Sequence, residues 1–110
     1  MSYFIVLRQP GSSWIRNLPM RQQPLWAEHA TFMNALAARR FIVLGGPVGH
    51  NNEALHIAQS DSASTILATL AEDPWEPAGV LRTVSVEPWN IVLGDPAVLG
   101  PDSHRPNGPT

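Results

Sequence analysis

The sequence predicts an α+β fold in which two helices cover a four-stranded antiparallel sheet. Three observations predict it. Four short runs rich in β-branched and aromatic residues alternate with two segments of helical spacing, in the order β-α-β-β-α-β. Proline and glycine cluster between these segments. The chain has 110 residues, 44% hydrophobic and 15% charged, which is the size of one small domain with enough apolar side chain to offset the entropy of ordering it.

The first run, Tyr3-Phe4-Ile5-Val6-Leu7, stops at Pro10-Gly11 and reads as a strand apolar on both faces. Residues 9–23 carry the turn formers Pro10, Gly11, Ser12, Ser13, Asn17 and Pro19. They also carry Trp14, Ile15, Leu18 and Met20, too apolar for a bare linker. An ordered loop of this length is commonly functional, so the segment reads as a covering flap. Over residues 24–40 there is no glycine, alanine is abundant, and Pro24 suits the first helical position. Steps of 100° gather Leu25, Trp26, Phe32, Met33 and Leu36 into one stripe with His29 at its middle.

Phe41-Ile42-Val43-Leu44 is the second strand, closed by Gly45-Gly46-Pro47-Val48-Gly49. Asn51-Asn52 supplies turn chemistry before a third strand over residues 53–59, so the two strands form a hairpin. Ser62 is the N-cap of a helix over residues 63–72, with Ile66, Leu67 and Leu70 at helical spacing and Pro74 as its stop. Residues 80–86 form a fourth strand, and Trp89-Asn90-Ile91-Val92-Leu93 extends the sheet edge. Residues 95–110, with Pro96, Pro101, Pro106 and Pro109, read as a mobile tail to a domain over residues 1–94.

This order is the ferredoxin-like arrangement, which leaves one sheet face without helices. Strands one, two and four are nevertheless apolar at successive positions, which predicts that both faces are buried. A second copy of the chain is the simplest cover, so a homodimer is expected.

Composition excludes several functions. Net charge is −2, with seven arginines, no lysine and nine acids, so no basic surface awaits a nucleic acid. The absence of cysteine removes thiolate catalysis, disulfides and thiolate metal sites. No apolar stretch approaches membrane-spanning length and the segment MSYFIVLRQ lacks a basic leader, so a soluble, cytoplasmic protein is expected. His29, His50, His56 and His104 show no metal-ligand spacing, no serine sits in a Gly-x-Ser-x-Gly setting, and the Gly-Gly-Pro-Val-Gly run lacks the Gly-Lys-Ser/Thr of a phosphate loop. Neither metal nor cofactor is expected.

Two residues stand out by position. His29, in an apolar stripe, is either a core histidine satisfied by a backbone carbonyl or a general acid-base group in a pocket. Asp73 lies where the dipole of the second helix disfavours a carboxylate, so it serves either turn chemistry or a partner elsewhere. Pairing would explain both locations. Four tryptophans (Trp14, Trp26, Trp75 and Trp89) suit a core, an interface or an aromatic pocket. Arg8 and Arg82, on strands, suit either an anionic substrate or salt bridges at the rim. Trp14, Trp75 and Arg8 are the candidate substrate contacts.

Four short motifs in order carry a resemblance: Glu28-His29-Ala30 with Phe32-Met33, Phe41-Ile42-Val43-Leu44-Gly45-Gly46-Pro47, Glu72-Asp73-Pro74-Trp75, and Val86-Glu87-Pro88-Trp89. Together they resemble the YCII-related (YciI-like) family across residues 3–94. The resemblance implies the dimeric α/β-barrel form of the ferredoxin-like fold, with two sheets packed face to face. It also implies a His and Asp acid-base couple, at His29 and Asp73 in this sequence. The implied function is a small cofactor-independent enzyme, an isomerase, lyase or dehydrochlorinase, acting on a small cyclic organic molecule. The alternative is a non-catalytic ligand-binding or accessory dimeric module whose His-Asp pair is structural.

Overall fold

A computed structural model of the chain describes residues 2–99. Its elements are β1 (Ser2–Pro10), α1 (Trp26–Ala38), β2 (Ile42–Val48), β3 (Glu53–Ser60), α2 (Ala63–Leu70) and β4 (Leu81–Pro88). The four strands form one antiparallel sheet in the order β2-β3-β1-β4, with β1 and β3 central. This is the α+β, ferredoxin-like fold that the sequence predicts.

Side chains alternate across β1. Phe4 and Val6 face the helices and join Ile42, Ala58, Leu36, Ile66 and Leu70 in the main core. Ser62 caps α2, its hydroxyl accepting the Thr65 N–H at 3.2 Å. The other face carries Leu44, Val48 and Leu55, all exposed. On that face residues 89–99 cover one end, where Tyr3, Ile91 and Leu99 form a small cluster with Val43 and Ile57.

Four boundaries differ from the sequence reading, each for a physical reason. The first helix starts at Trp26 because Leu25 adopts a left-handed conformation, φ 61°, and turns the chain. Leu25 is therefore 41% exposed instead of buried in the stripe. The second helix ends at Leu70, two residues before Glu72, and residues 71–79 follow as turns. Gly45, Gly46 and Pro47 lie inside β2, whose ladder continues to Val48 opposite Glu53. Because β2 is an edge strand it tolerates proline, and the reversal occurs at residues 49–52, where Gly49 and Asn52 supply positive φ. Finally, residues 89–93 add no strand. Trp89 N–H still reaches Tyr3 O at 2.9 Å, and the chain then leaves the ladder as Ile91 packs with Tyr3 and Leu99.

Of the tail, Pro96–Leu99 forms a 3-10 turn with Leu99 buried, and the Arg40 guanidinium donates to Leu99 O. Residues 100–110, where most of the expected mobile tail falls, lie outside the described residues.

Candidate active site

Three segments far apart in sequence meet beneath one end of the helices. α1 contributes His29 from its first turns, the turns after α2 contribute Asp73, Trp75 and Glu76, and β1 contributes Arg8. Arg8 follows Phe4 and Val6 on the helix-facing side, so the strand that builds the core also delivers a cation under the site. A bulge in the β1–β4 ladder skips Val84 and sets Thr83 opposite Arg8.

His29 Nδ1 and Asp73 Oδ2 are 2.8 Å apart, with both residues buried. Arg8 Nη2 stands 3.0 Å from the same carboxylate oxygen and donates to Glu76 Oε2 at 2.8 Å. Thr83 Oγ1 donates to that Glu76 oxygen at 2.8 Å. The other Asp73 oxygen, Oδ1, accepts the Trp75 N–H at 3.0 Å. Turn chemistry and a charge partner, posed as alternatives for Asp73 by the sequence, thus coexist on its two oxygens. Burial pushes the Asp73 carboxyl up, but bonds from His29 and from Trp75 N–H, with the charges of His29 and Arg8, hold it below the usual carboxylate range. Asp73 is therefore an anion at neutral pH. Its hydrogen bond occupies His29 Nδ1 and leaves Nε2 for chemistry.

Tryptophans fix the imidazole plane. Trp75 stacks on His29 with centroids 3.7 Å apart and planes within 9°, and Trp75 Nε1–H donates to Pro24 O at 2.6 Å. Trp14 meets Trp75 edge-on at 5.9 Å, and Trp26 lies 5.7 Å from it. Trp14 comes from the flap, which is closed by Gln23. The Gln23 side chain accepts from Ile15 N–H at 2.8 Å and donates to the carbonyls of Ile15 and Leu18.

A cavity of about 480 Å³ opens between this aromatic cluster and the β2–β3 hairpin, within the range of small-molecule sites. Trp14, Trp26, His29 and Trp75 form one side of it, and Gly45 and His56 stand on the hairpin side. Of the candidate substrate contacts, Trp14 and Trp75 line this cavity. Arg8 does not: it is 0% exposed, and its guanidinium is engaged by Asp73 and Glu76. Arg8 is thus a buried support for Asp73, in place of the substrate contact or rim salt bridge expected of it. Arg82 is exposed and donates to Gln9 Oε1 at 3.1 Å.

Sequence reasoning missed His56, Glu76, Thr83 and Gln23. Only His56 left a trace, since a β2–β3 hairpin sets a glycine, Gly45, opposite it. Among the described residues no group of three His, Asp or Glu side chains could hold a metal ion, and no helix is long and apolar enough to cross a membrane.

No family model and no curated protein match the chain. A solved structure of similar fold is 5-chloro-2-hydroxyhydroquinone dehydrochlorinase (TftG) from Burkholderia phenoliruptrix AC1100, in complex with 2,5-dihydroxybenzoquinone. It is 23% identical to this chain, with a TM-score of 0.56 over 79% of this chain and 92% of that one. The likeness establishes that the two chains share a fold.

Proposed function

We propose that this protein is a small cofactor-independent enzyme that moves protons on a compact cyclic organic molecule, with His29 and Asp73 as its acid-base couple. The observation that carries the proposal is the 2.8 Å bond between His29 Nδ1 and Asp73 Oδ2, set against the wall of a tryptophan-lined cavity. Asp73, held as an anion, fixes the tautomer that puts the lone pair of neutral His29 on Nε2. Nε2 then takes a proton from the substrate. In an elimination the electron pair left behind forms the new double bond as the leaving group departs as an anion; in an isomerisation the proton returns at another atom. Asp73 stabilises the imidazolium until its proton returns to the substrate in an isomerisation or passes to water after an elimination.

The solved neighbour's dehydrochlorination of an oxygenated ring supports the elimination arm of this reading. The tryptophan walls suit a flat ring. The exposed Leu44, Val48 and Leu55 on the sheet face away from the helices support the further proposal of a homodimer, with a second copy covering that face.

Chloride release from chlorinated hydroxyhydroquinones, assayed with wild type, His29→Ala and Asp73→Asn, tests the catalytic reading. Each variant is expected to lose about 10²-fold or more in kcat while keeping its fold. Turnover by wild type that survives in both variants would make the pair structural.

A further inference from the structure

Two side chains on the cavity wall hold buried nitrogens without a hydrogen-bond partner: Trp14 at Nε1 and His56 at both ring nitrogens. His56 is the more demanding case. It sits at the middle of β3, 8% exposed, between Val6 of β1 and Gly45 of β2. A Cβ added at Gly45 would stand 2.3 Å from His56 Nδ1, so the hairpin is built around the imidazole and any larger residue at position 45 would displace it. Gly45 packs against the Nδ1 edge of the ring, and neither ring nitrogen has a hydrogen-bond partner in the protein. Burial, with the charges of Arg8 and His29, pushes the ring's pKa down to about 4 against a smaller opposing effect of Asp73. At neutral pH the ring is therefore uncharged, with one donor and one acceptor.

Packing does not account for such a residue. A leucine would fill much of the same space and leave no polar atom unpaired, and an unpaired buried polar atom costs stability. Polar groups buried beside a cavity without a protein partner take their partner from the cavity, as water or as the polar atom of a ligand.

We propose that His56 orients the ligand of this cavity, its imidazole hydrogen-bonding a hydroxyl or carbonyl oxygen of a ring compound whose reacting atom faces His29. The inference rests on the reading of the cavity as a ligand site and adds its polar specificity. The favoured ligand carries an uncharged oxygen at this position, because a carboxylate or phosphate there would call for a cation, and Arg8, whose charge acts on His56, is engaged by Asp73 and Glu76.

The test uses phenol and toluene, which have nearly the same shape and differ in the oxygen. Their affinities are measured by calorimetric or NMR titration of wild type, His56→Leu, His56→Gln and His29→Ala. The phenol-to-toluene affinity ratio is expected to fall about tenfold in His56→Leu, the scale of one buried hydrogen bond, and to recover most of that in His56→Gln. It should stay within about threefold of wild type in His29→Ala. The melting temperature of His56→Leu should equal or exceed that of wild type at pH 7, a result that a structural histidine would not give. In wild type, phenol but not toluene should shift the His56 ring 15N resonances. An unchanged ratio in His56→Leu would overturn the inference. Loss of the ratio in His29→Ala alone would move the oxygen to His29, sinking this inference while leaving the acid-base reading intact. If neither probe binds wild type, the cavity reading and this inference fall together. Should His56→Leu fail to fold, absence of a phenol-dependent 15N shift in wild type overturns the proposal.

Discussion

Replacing Arg8 with methionine tests whether the site is held from below by a buried cation. Arg8 is 0% exposed, and its Nη2 lies 3.0 Å from Asp73 and 2.8 Å from Glu76, so one nitrogen keeps two carboxylates compatible. Methionine retains the apolar stem beside Met33, whose sulfur Arg8 Nη1 approaches at 3.7 Å, and removes the guanidinium with its charge and its bonds to Asp73 and Glu76. Breaking a buried ion pair from one side costs about 3–5 kcal/mol, because the remaining charge stays buried without compensation. Glu76 is partly exposed and can turn toward water, which places this case near 3 kcal/mol, at the lower end. For a domain of this size that loss lowers the melting temperature by roughly 10–20 °C.

The deficit has a signed pH dependence. Without the cation the two facing carboxylates bind protons more readily, so acidification from pH 7 to pH 4.5 should shrink the gap between variant and wild type. In wild type the Asp73 contribution stays in place over that range. The folded-state pKa of Asp73 lies below the ordinary 3.8, so its stabilisation is present above that value and is lost as pH falls through the folded one. Thermal unfolding followed by circular dichroism at both pH values measures the gap. A variant that melts within about 3 °C of wild type at pH 7, or a gap equal at both pH values, would refute the claim that Arg8 supports the site through charge.

Three other perturbations have expected outcomes of their own. Gly11→Ala would set a Cβ 2.2 Å from Gly79 O, and the bonds Gly11 N–H to Val80 O and Ser13 N–H to Gly79 O would part. Loss of two backbone bonds and the strain should destabilise by about 2 kcal/mol or more, with faster hydrogen exchange at residues 11 and 13; unchanged exchange would show that the flap is not anchored there. His56, with a folded pKa of about 4 against 6.5, carries no protonation penalty above pH 6.5, but as pH falls toward 4 the unfolded chain binds a proton that the buried ring refuses, and stability drops. Wild type should lose roughly 3 kcal/mol across that window relative to His56→Leu, and parallel urea-unfolding curves for the two proteins would contradict it. Light scattering at micromolar concentration should give about twice the 12.0 kDa chain mass, and a purely monomeric species would exclude the homodimer.

The sequence made the fold legible because its signals are local. Continuous β-branched runs, the Ser62 cap and the alanine-rich helix each declare an element without tertiary information. What it could not show depended on pairing register. That Gly45-Gly46-Pro47 continues β2 follows from its ladder with Ala54 and Leu55, which no property of the tripeptide announces. The end of β4 was equally hidden, since past Trp89 the chain leaves the ladder and Ile91 packs with Tyr3 and Leu99, a contact that no local pattern announces. At the site, His29 and Asp73 drew notice because each occupies a place that disfavours it when alone. Arg8 drew the opposite inference: a charge on a strand reads as a surface group, and only the depth of Asp73 makes it an internal one.

The arrangement along β1 explains how so small a domain carries buried charge at all. Phe4, Val6 and Arg8 point to the same face, and at about 3.3 Å per residue the strand passes from apolar core to ionic cluster within roughly 13 Å. The core end, sealed by Ile66 and Leu70 at 0% exposure, fixes β1 against α2. Because the turns that bear Asp73 and Trp75 leave α2 directly, the same packing sets their position relative to Arg8. The site therefore inherits its rigidity from apolar contacts it does not itself make. Disturbing the core should loosen the His29–Asp73 bond before it unfolds the chain, whereas disturbing Arg8 removes the support and leaves the core in place. That asymmetry is why the Arg8 variant, rather than a core variant, separates electrostatic support of the site from stability of the fold.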